Sequence, residues 1–283
     1  MRRLFLLIVL LLSVLPLRAQ IWLGKSEIGV TVGGMNYIGD LNDQSMLGGF
    51  EAGAGLMARI NFNPRWAIAV GVNYGHLSGG NPDVIVRRNL SFRTSLTEAF
   101  ARVEFNFFEY GLHHGTQKRA TPYIFCGIGM FHFNPMALYG GPQGGEPTWY
   151  ELQPLCTEGQ GTSAYPERSR YQLTQLCMPF GVGYRWRVSP AMHVTLEYGW
   201  RKTWTDYIDD VSTTYVGSDL LGSGSMAAIL ADRSGEVEPG YVNAVGIKRG
   251  DDSLDDWYGY LSVSVSFSAE MLFGWMRGKV CEK

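Results

Sequence analysis

From Phe180 to Val188 the apolar residues Phe180, Val182, Tyr184, Trp186 and Val188 alternate with Gly181, Gly183, Arg185 and Arg187. A period of two marks a β-strand, because successive side chains on extended backbone point to opposite faces. Ser189-Pro190 turns the chain, and Met192, Val194, Leu196, Tyr198 and Trp200 resume the rhythm, with His193, Thr195 and Glu197 on the other face. The stretch reads as a hairpin. Each arm covers about ten residues, the length of a tilted strand crossing the hydrocarbon of a bilayer. The opposite rows carry Arg185, Arg187 and Glu197, which a dry core accepts only when paired and a polar barrel interior accepts readily. The pattern points to a membrane β-barrel with a binding or assembly role. Alternation alone leaves open a soluble antiparallel barrel whose apolar rows face inward.

The chain has 283 residues, 46% of them hydrophobic, enough for one large β domain or two small ones. Its start reads as a secretion signal over residues 1–19: Arg2 and Arg3 precede an apolar run from Leu4 to Leu12, and Leu17-Arg18-Ala19 closes it. Gln20 rather than Cys stands at the start of the expected mature chain, which argues against a lipoprotein anchor. Without Arg2, Arg3 and Arg18 the 24 basic residues fall to 21 against 26 acidic, a formal charge of -5 that gives nucleic-acid binding no support. No later stretch has eighteen uninterrupted apolar residues, so any membrane crossing must be made by strands.

The same alternation recurs along the chain. Strand one is expected over roughly residues 27–33, strand two over 49–60, strand three over 66–75, strand four over 94–107 and strand five over 123–131. The central hairpin supplies two more. The closing strand is the plainest, with Trp257, Gly259, Leu261, Val263, Val265 and Phe267 on one face and Tyr258, Tyr260 and a serine row on the other. Residues 133–170 and 201–256 read as long loops, the second with a weak helical possibility near Ser225 to Leu230. Pro179 is expected at a bulge or near a strand end, since it cannot donate to a ladder.

Eight strands result, and their connections alternate between long and short. That asymmetry belongs to outer-membrane barrels. The expectation is an all-β, eight-stranded antiparallel transmembrane β-barrel over residues 20–268 in the cell outer membrane, with long extracellular loops and both termini periplasmic. Residues 269–283 form a periplasmic tail, whose Met271, Leu272, Phe273, Trp275 and Met276 suit either an interfacial helix or a docked segment. Trp66, Trp186, Trp200 and Trp257, with Tyr74, Tyr184 and Tyr198, are placed for two interfacial girdles. Glu51, Arg59, Arg102, Glu104, Arg185, Arg187 and Glu197 are expected to fill the lumen as an ion-pair network with no open pore.

Other chemistry reads more weakly. Asp206, Asp209 and Asp210 lack a regular calcium-loop spacing, and Arg201 and Lys202 are near enough to pair with them, so a structural ion-pair or capping role is expected, with cation binding the lesser reading. Asp251, Asp252, Asp255 and Asp256 read as a solvated loop run, with a bound cation or lipopolysaccharide bridging as the lesser reading. His113-His114 and His132 fall at opposite barrel ends and cannot easily converge on a metal or a catalytic group. Cys126 and Cys177 point to opposite faces, and a Cys156 to Cys281 bridge would have to span the membrane. No catalytic, cofactor or metal residue is assigned.

Several stretches together resemble the PorG-like family of outer-membrane proteins of Bacteroidota, associated with gliding and the type IX secretion machinery. They include Asn36-Tyr37-Ile38-Gly39-Asp40-Leu41, Asn61-Phe62-Asn63-Pro64-Arg65, Leu90-Ser91-Phe92-Arg93 and Thr121-Pro122-Tyr123-Ile124-Phe125. Further pieces are Phe131-His132-Phe133-Asn134-Pro135, Leu152-Gln153-Pro154-Leu155 with Thr157-Glu158-Gly159-Gln160-Gly161, the run from Arg201 to Val211, and Asp256-Trp257-Tyr258. The resemblance implies a non-enzymatic component of that apparatus, connected with a periplasmic ring of a PorK-like lipoprotein and a PorN-like protein. A small pore or receptor, and an outer-membrane hydrolase, are the competing readings.

Overall fold

The computed structural model describes residues 26–42, 48–80, 88–110, 118–140 and 145–270. The signal segment 1–19, His113-His114, and tail residues 271–283 with Cys281 lie outside them. The strands are β1 (Ser26–Ile38), β2 (Glu51–Asn61), β3 (Trp66–Gly79), β4 (Phe92–Asn106), β5 (Ala120–Tyr139), β6 (Thr148–Glu151), β7 (Thr174–Arg187), β8 (Met192–Thr203) and β9 (Trp257–Ser268).

Every neighbouring pair is antiparallel, in the order β4-β3-β2-β1-β9-β8-β7-β5, and pairing of β4 with β5 closes the ring. The result is a closed eight-stranded barrel. The ninth strand, β6, extends the ladder where β5 runs past the end of β7, from Met136 opposite Glu151 to Tyr139 opposite Thr148. It is an addition to the expected elements. Asn134-Pro135 reads as a turn signal, yet the alternation carries on through buried Phe133 and Ala137.

The apolar rows face outward. Val32, Leu56, Ile128 and Leu176 are 61%, 64%, 75% and 64% exposed, and the rows continue around the wall through Val70, Val103, Val182 and Val263. A belt of this extent has no stable place in water, whereas closure leaves no strand edge to be desolvated in lipid. The soluble alternative, with apolar rows inward, is thereby excluded. This is a transmembrane barrel of the outer-membrane type. Trp66, Tyr184 and Trp186 ring the wall at the end of the short turns, and Tyr74, Tyr198, Trp200 and Trp257 at the end of the long loops.

Pro179 departs from expectation. It sits within β7, and the β5 register is the same on both sides of it, Cys126 opposite Phe180 and Gly129 opposite Cys177. The ladder to β5 is interrupted there without an inserted residue. Cys126 is exposed and Cys177 buried, as their opposite parity requires. In the second long loop, α1 (Ser218–Leu221) and α2 (Met226–Ala231) form, the latter capped by Ser225 Oγ accepting from the Ala228 amide at 3.1 Å.

The lumen has two zones. Towards the short turns it is ionic: Glu104 takes Arg59 at 2.6 Å, Arg185 at 2.7 Å and Arg102 at 2.9 Å. Arg59 also reaches Glu27 at 2.9 Å, and Arg102 grips Glu197 through both nitrogens at 2.7 Å. Tyr123 donates to the same Glu197. Further along, Arg201 pairs with Glu98 at 3.2 Å, and Asn73 donates to that carboxylate at 3.0 Å. Arg59, Arg102, Arg185 and Arg201 thus balance Glu27, Glu98, Glu104 and Glu197, so these eight luminal charges sum to zero.

Glu27, Glu98 and Arg201 are additions to the expected network. Glu51 bonds Ser78 at 2.8 Å and Arg187 is half-buried at the rim, outside the central cluster. Towards the long loops the lumen is apolar, with Met35, Leu77, Phe131, Phe133, Tyr258 and Tyr260 packed together.

Candidate functional site: a capped barrel mouth

The sequence departs from strand alternation beyond Thr203, and the chain there folds over the mouth. Ile208 and Val211 are buried and join the luminal core beside Tyr37, Leu152, Tyr171 and Leu230. Burying two apolar residues while their neighbours are Asp206, Asp209 and Asp210 forces those carboxylates inside as well. Each needs a partner.

Asp209 Oδ1 accepts from the Val211 amide at 2.9 Å, and its Oδ2 lies 2.7 Å from the Tyr37 hydroxyl at the end of β1. Asp256 mirrors this arrangement. Its Oδ2 accepts from the Ile208 amide at 2.8 Å, and its Oδ1 is 2.7 Å from the same Tyr37 oxygen. Asp210 accepts from Thr157 at 2.6 Å and Tyr171 at 2.8 Å. Gly39 closes the floor, since a Cβ there would fall 1.9 Å from Asp256 Oδ1.

Glu158 is the hub of the cap. Fully buried, it accepts from the Ser212 amide at 3.0 Å, from Thr213 Oγ1 at 2.6 Å and from Arg249 at 2.9 Å. Arg249 in turn donates to the Ala231 carbonyl at 3.1 Å, tying α2 down. Arg88, in the connection after β3, donates to the Arg249 carbonyl at 2.7 Å and to the Asp40 carbonyl at 3.2 Å. The connections after β1, β3, β5 and β8 are therefore locked to one another.

Burial sets the electrostatics. It pushes the carboxyl of Asp209 up to about 8, that of Asp206 to about 9 and that of Asp210 to about 6, with Arg249 pulling Asp210 back; burial and the charge of Asp209 raise Asp256. Several of these acids hold protons near neutrality.

The structure corrects two expectations. Arg201 pairs with Glu98 inside the barrel and Lys202 with Asp255 at 3.3 Å, so neither serves Asp206, Asp209 or Asp210. The reason is strand parity, which sends Arg201 inward and Lys202 outward. Asp256 is fully buried against Tyr37, unlike Asp251, which pairs with Lys248 at 2.8 Å near the surface. His132 is exposed on the outward face and bonds Thr174. Among the described residues no group of three His, Cys, Asp or Glu side chains is placed to hold a metal ion.

Sequence reasoning left Glu158, Arg249 and Tyr37 without roles. The signal lay in the grouping of the pieces. Residues 36–41, 157–161, 201–211 and 256–258, far apart in the chain, all contribute to this mouth.

Among solved structures, the chain is similar to Neisserial surface protein A, at 11% identity over 86% of this chain and 97% of that one, with a TM-score of 0.42. It is also similar to Ail, the attachment invasion locus protein of Yersinia pestis, at 10% identity over 86% and 96% with a TM-score of 0.37. OprG from Pseudomonas aeruginosa is similar at 11% identity over 86% and 96% with a TM-score of 0.35. No curated protein matches the sequence. A family model described as a domain of unknown function, DUF6089, matches residues 2–143, half of the 283-residue chain. The chain belongs to the DUF6089 family.

Proposed function

We propose that this protein is a non-enzymatic, non-conducting outer-membrane receptor or scaffold, with the capped mouth outside the cell as its recognition surface and both termini in the periplasm. The observation that carries this reading is the locking of four long connections into one cap over a filled lumen. Loops held by Glu158, Arg249 and Arg88 present a preorganised face, which lowers the ordering cost of binding. A charge-neutral, tightly paired interior offers no water-filled path and suits a scaffold better than a pore.

A second reading is favoured by the opposite end. Phe62, Phe107 and Phe108 are 41%, 47% and 48% exposed beside the short turns, where a periplasmic partner would dock. Joined to the resemblance, this supports anchoring of a ring built from PorK-like and PorN-like proteins within a type IX secretion apparatus. Site-specific crosslinking in intact envelopes separates the two readings. A photoreactive residue at Val242 that captures an exterior partner supports the receptor. Capture of ring proteins from positions 62–65 or 107–108 supports the anchor. Capture from neither end rejects both.

A further inference from the structure

We propose that the outer wall of the barrel carries a site for one long-chain, phosphate-bearing membrane lipid, with its acyl chain against Phe180, Trp200 and Trp257 and its headgroup at Lys202. The site is separate from the cap's recognition surface and holds under either reading of function.

The strand register builds it. Asn36, Gly259, Trp200 and Phe180 stand in one outward row across β1, β9, β8 and β7, and Ile38, Trp257, Lys202 and Met178 stand in the next row towards the loops. Gly259 contributes no side chain between Asn36 and Trp200. Its place is taken from both sides: a Cβ would lie 2.2 Å from Asn36 Oδ1 and 2.6 Å from the Tyr198 hydroxyl. That hydroxyl donates to Asn36 Oδ1 at 3.3 Å, so the polar groups over Gly259 are satisfied, and the groove opens above them between Phe180, Trp200 and Trp257.

Phe180 stacks on Trp200 with centroids 5.9 Å apart and meets Trp257 edge-on at 6.0 Å. Leu254 and Asp255, from the connection before β9, overhang the groove together with residues 38–40 and enclose about 620 Å³. That volume lies within the range of ligand pockets.

Two features identify the occupant. The groove is continuous with the lipid-facing belt, since Val182, Leu261 and Val263 extend its walls along the same outward rows. Its upper lip carries a cation: Lys202 Nζ lies 5.1 Å from the centre of the Trp257 ring and 3.3 Å from Asp255 Oδ2. Both members of this pair are about one-third exposed, so the ion pair is weak and open to exchange. A phosphate arriving at the level of the aromatic girdle replaces Asp255 on Lys202, while the chain below it fills the groove.

The test is native mass spectrometry of the mature protein in mild detergent, titrated with dioleoyl phosphatidylglycerol. The expected result is one saturable lipid adduct per protein, weakened at least tenfold by Lys202→Glu and by Phe180→Ala. Dihexanoyl phosphatidylglycerol and free glycerol phosphate should both fail to bind, which separates a lipid from its headgroup alone. Equal retention by wild type and folded variants would mean nonspecific lipid and overturn the site, as would a dimer without lipid. Should Phe180→Ala not fold, a brominated-chain phosphatidylglycerol gives a second readout. Saturable quenching at one lipid per protein must diminish in Trp200→Phe and Trp257→Phe, and undiminished quenching refutes the assignment.

Discussion

The Tyr37 hydroxyl donates to Asp209 Oδ2 at 2.7 Å while the same oxygen lies 2.7 Å from Asp256 Oδ1. A tyrosine has one proton and two carboxylates are in reach, so the three groups are fully bonded only when one carboxyl is itself protonated and donates back. Burial provides that proton by raising Asp209 to about 8 and Asp256 above its ordinary value. Asp40 and Asp206 add negative charge around the pair, and Arg249 opposes it.

Closure of the cap is therefore pH-dependent. These carboxyls have raised values in the closed state, so the closed cap binds more protons than the open one. Its stability is greatest near the ordinary carboxylate range and declines as pH rises through about 8. Amide-exchange protection factors at Ile208 and Val211 should fall between pH 5 and pH 9. Protection that is constant or rises with pH contradicts the shared proton.

Glu158 holds the cap as a unit, and Glu158→Ala leaves Arg249 and Thr213 without their buried acceptor. Breaking a buried pair from one side costs about 3–5 kcal/mol. Limited proteolysis of this variant should cut within 204–256 while the strands stay protected. Simultaneous loss of strands and cap would show that the two are one cooperative unit.

Glu104 stabilises the lumen, since Glu104→Gln weakens the partner of Arg59, Arg102 and Arg185 together. A loss of about 3–5 kcal/mol is expected, measurable by urea unfolding in lipid vesicles. A change below about 1 kcal/mol would mean that water already screens the network.

Ile128 is 75% exposed on the outward face in the middle of β5. Ile128→Arg should destabilise the barrel in a bilayer by about 2–4 kcal/mol, the cost of a basic residue near the midplane. A neutral effect would refute the lipid-facing assignment of this row.

The filled lumen predicts that wild-type protein gives no large, stable conductance in planar bilayers. Excision of 210–250 should leave the membrane sealed, because Phe131, Phe133, Tyr258 and the ion pairs below them remain. A stable channel in the wild type would reject the scaffold reading.

The barrel was legible because its information is local. Strand parity places Leu56 opposite Arg59 on the wall and Val263 opposite Ser262, whatever the distant chain does, and Trp200, Trp257 and Tyr74 take their girdle positions from the same count. Parity also put Arg59, Arg102, Glu104 and Glu197 in the lumen. It could not say that Glu27 and Glu98 complete the charge balance, because a partner across a closed ring depends on registers set by every intervening pair.

The cap was illegible for a related reason. Residues 204–256 have no period, so which of its acids are buried follows from where Ile208 and Val211 dock, and from Tyr37, Glu158 and Arg249 arriving from distant parts of the chain. The strands and their two faces are legible within each strand from the two-residue repeat; that the apolar face meets lipid follows from the closed ring, which turns those rows outward. That Asp256 is buried while Asp251 is not, and that Leu254 and Asp255 overhang Trp200 and Trp257, follows from the closed fold, because both depend on atoms brought together by closing the ring.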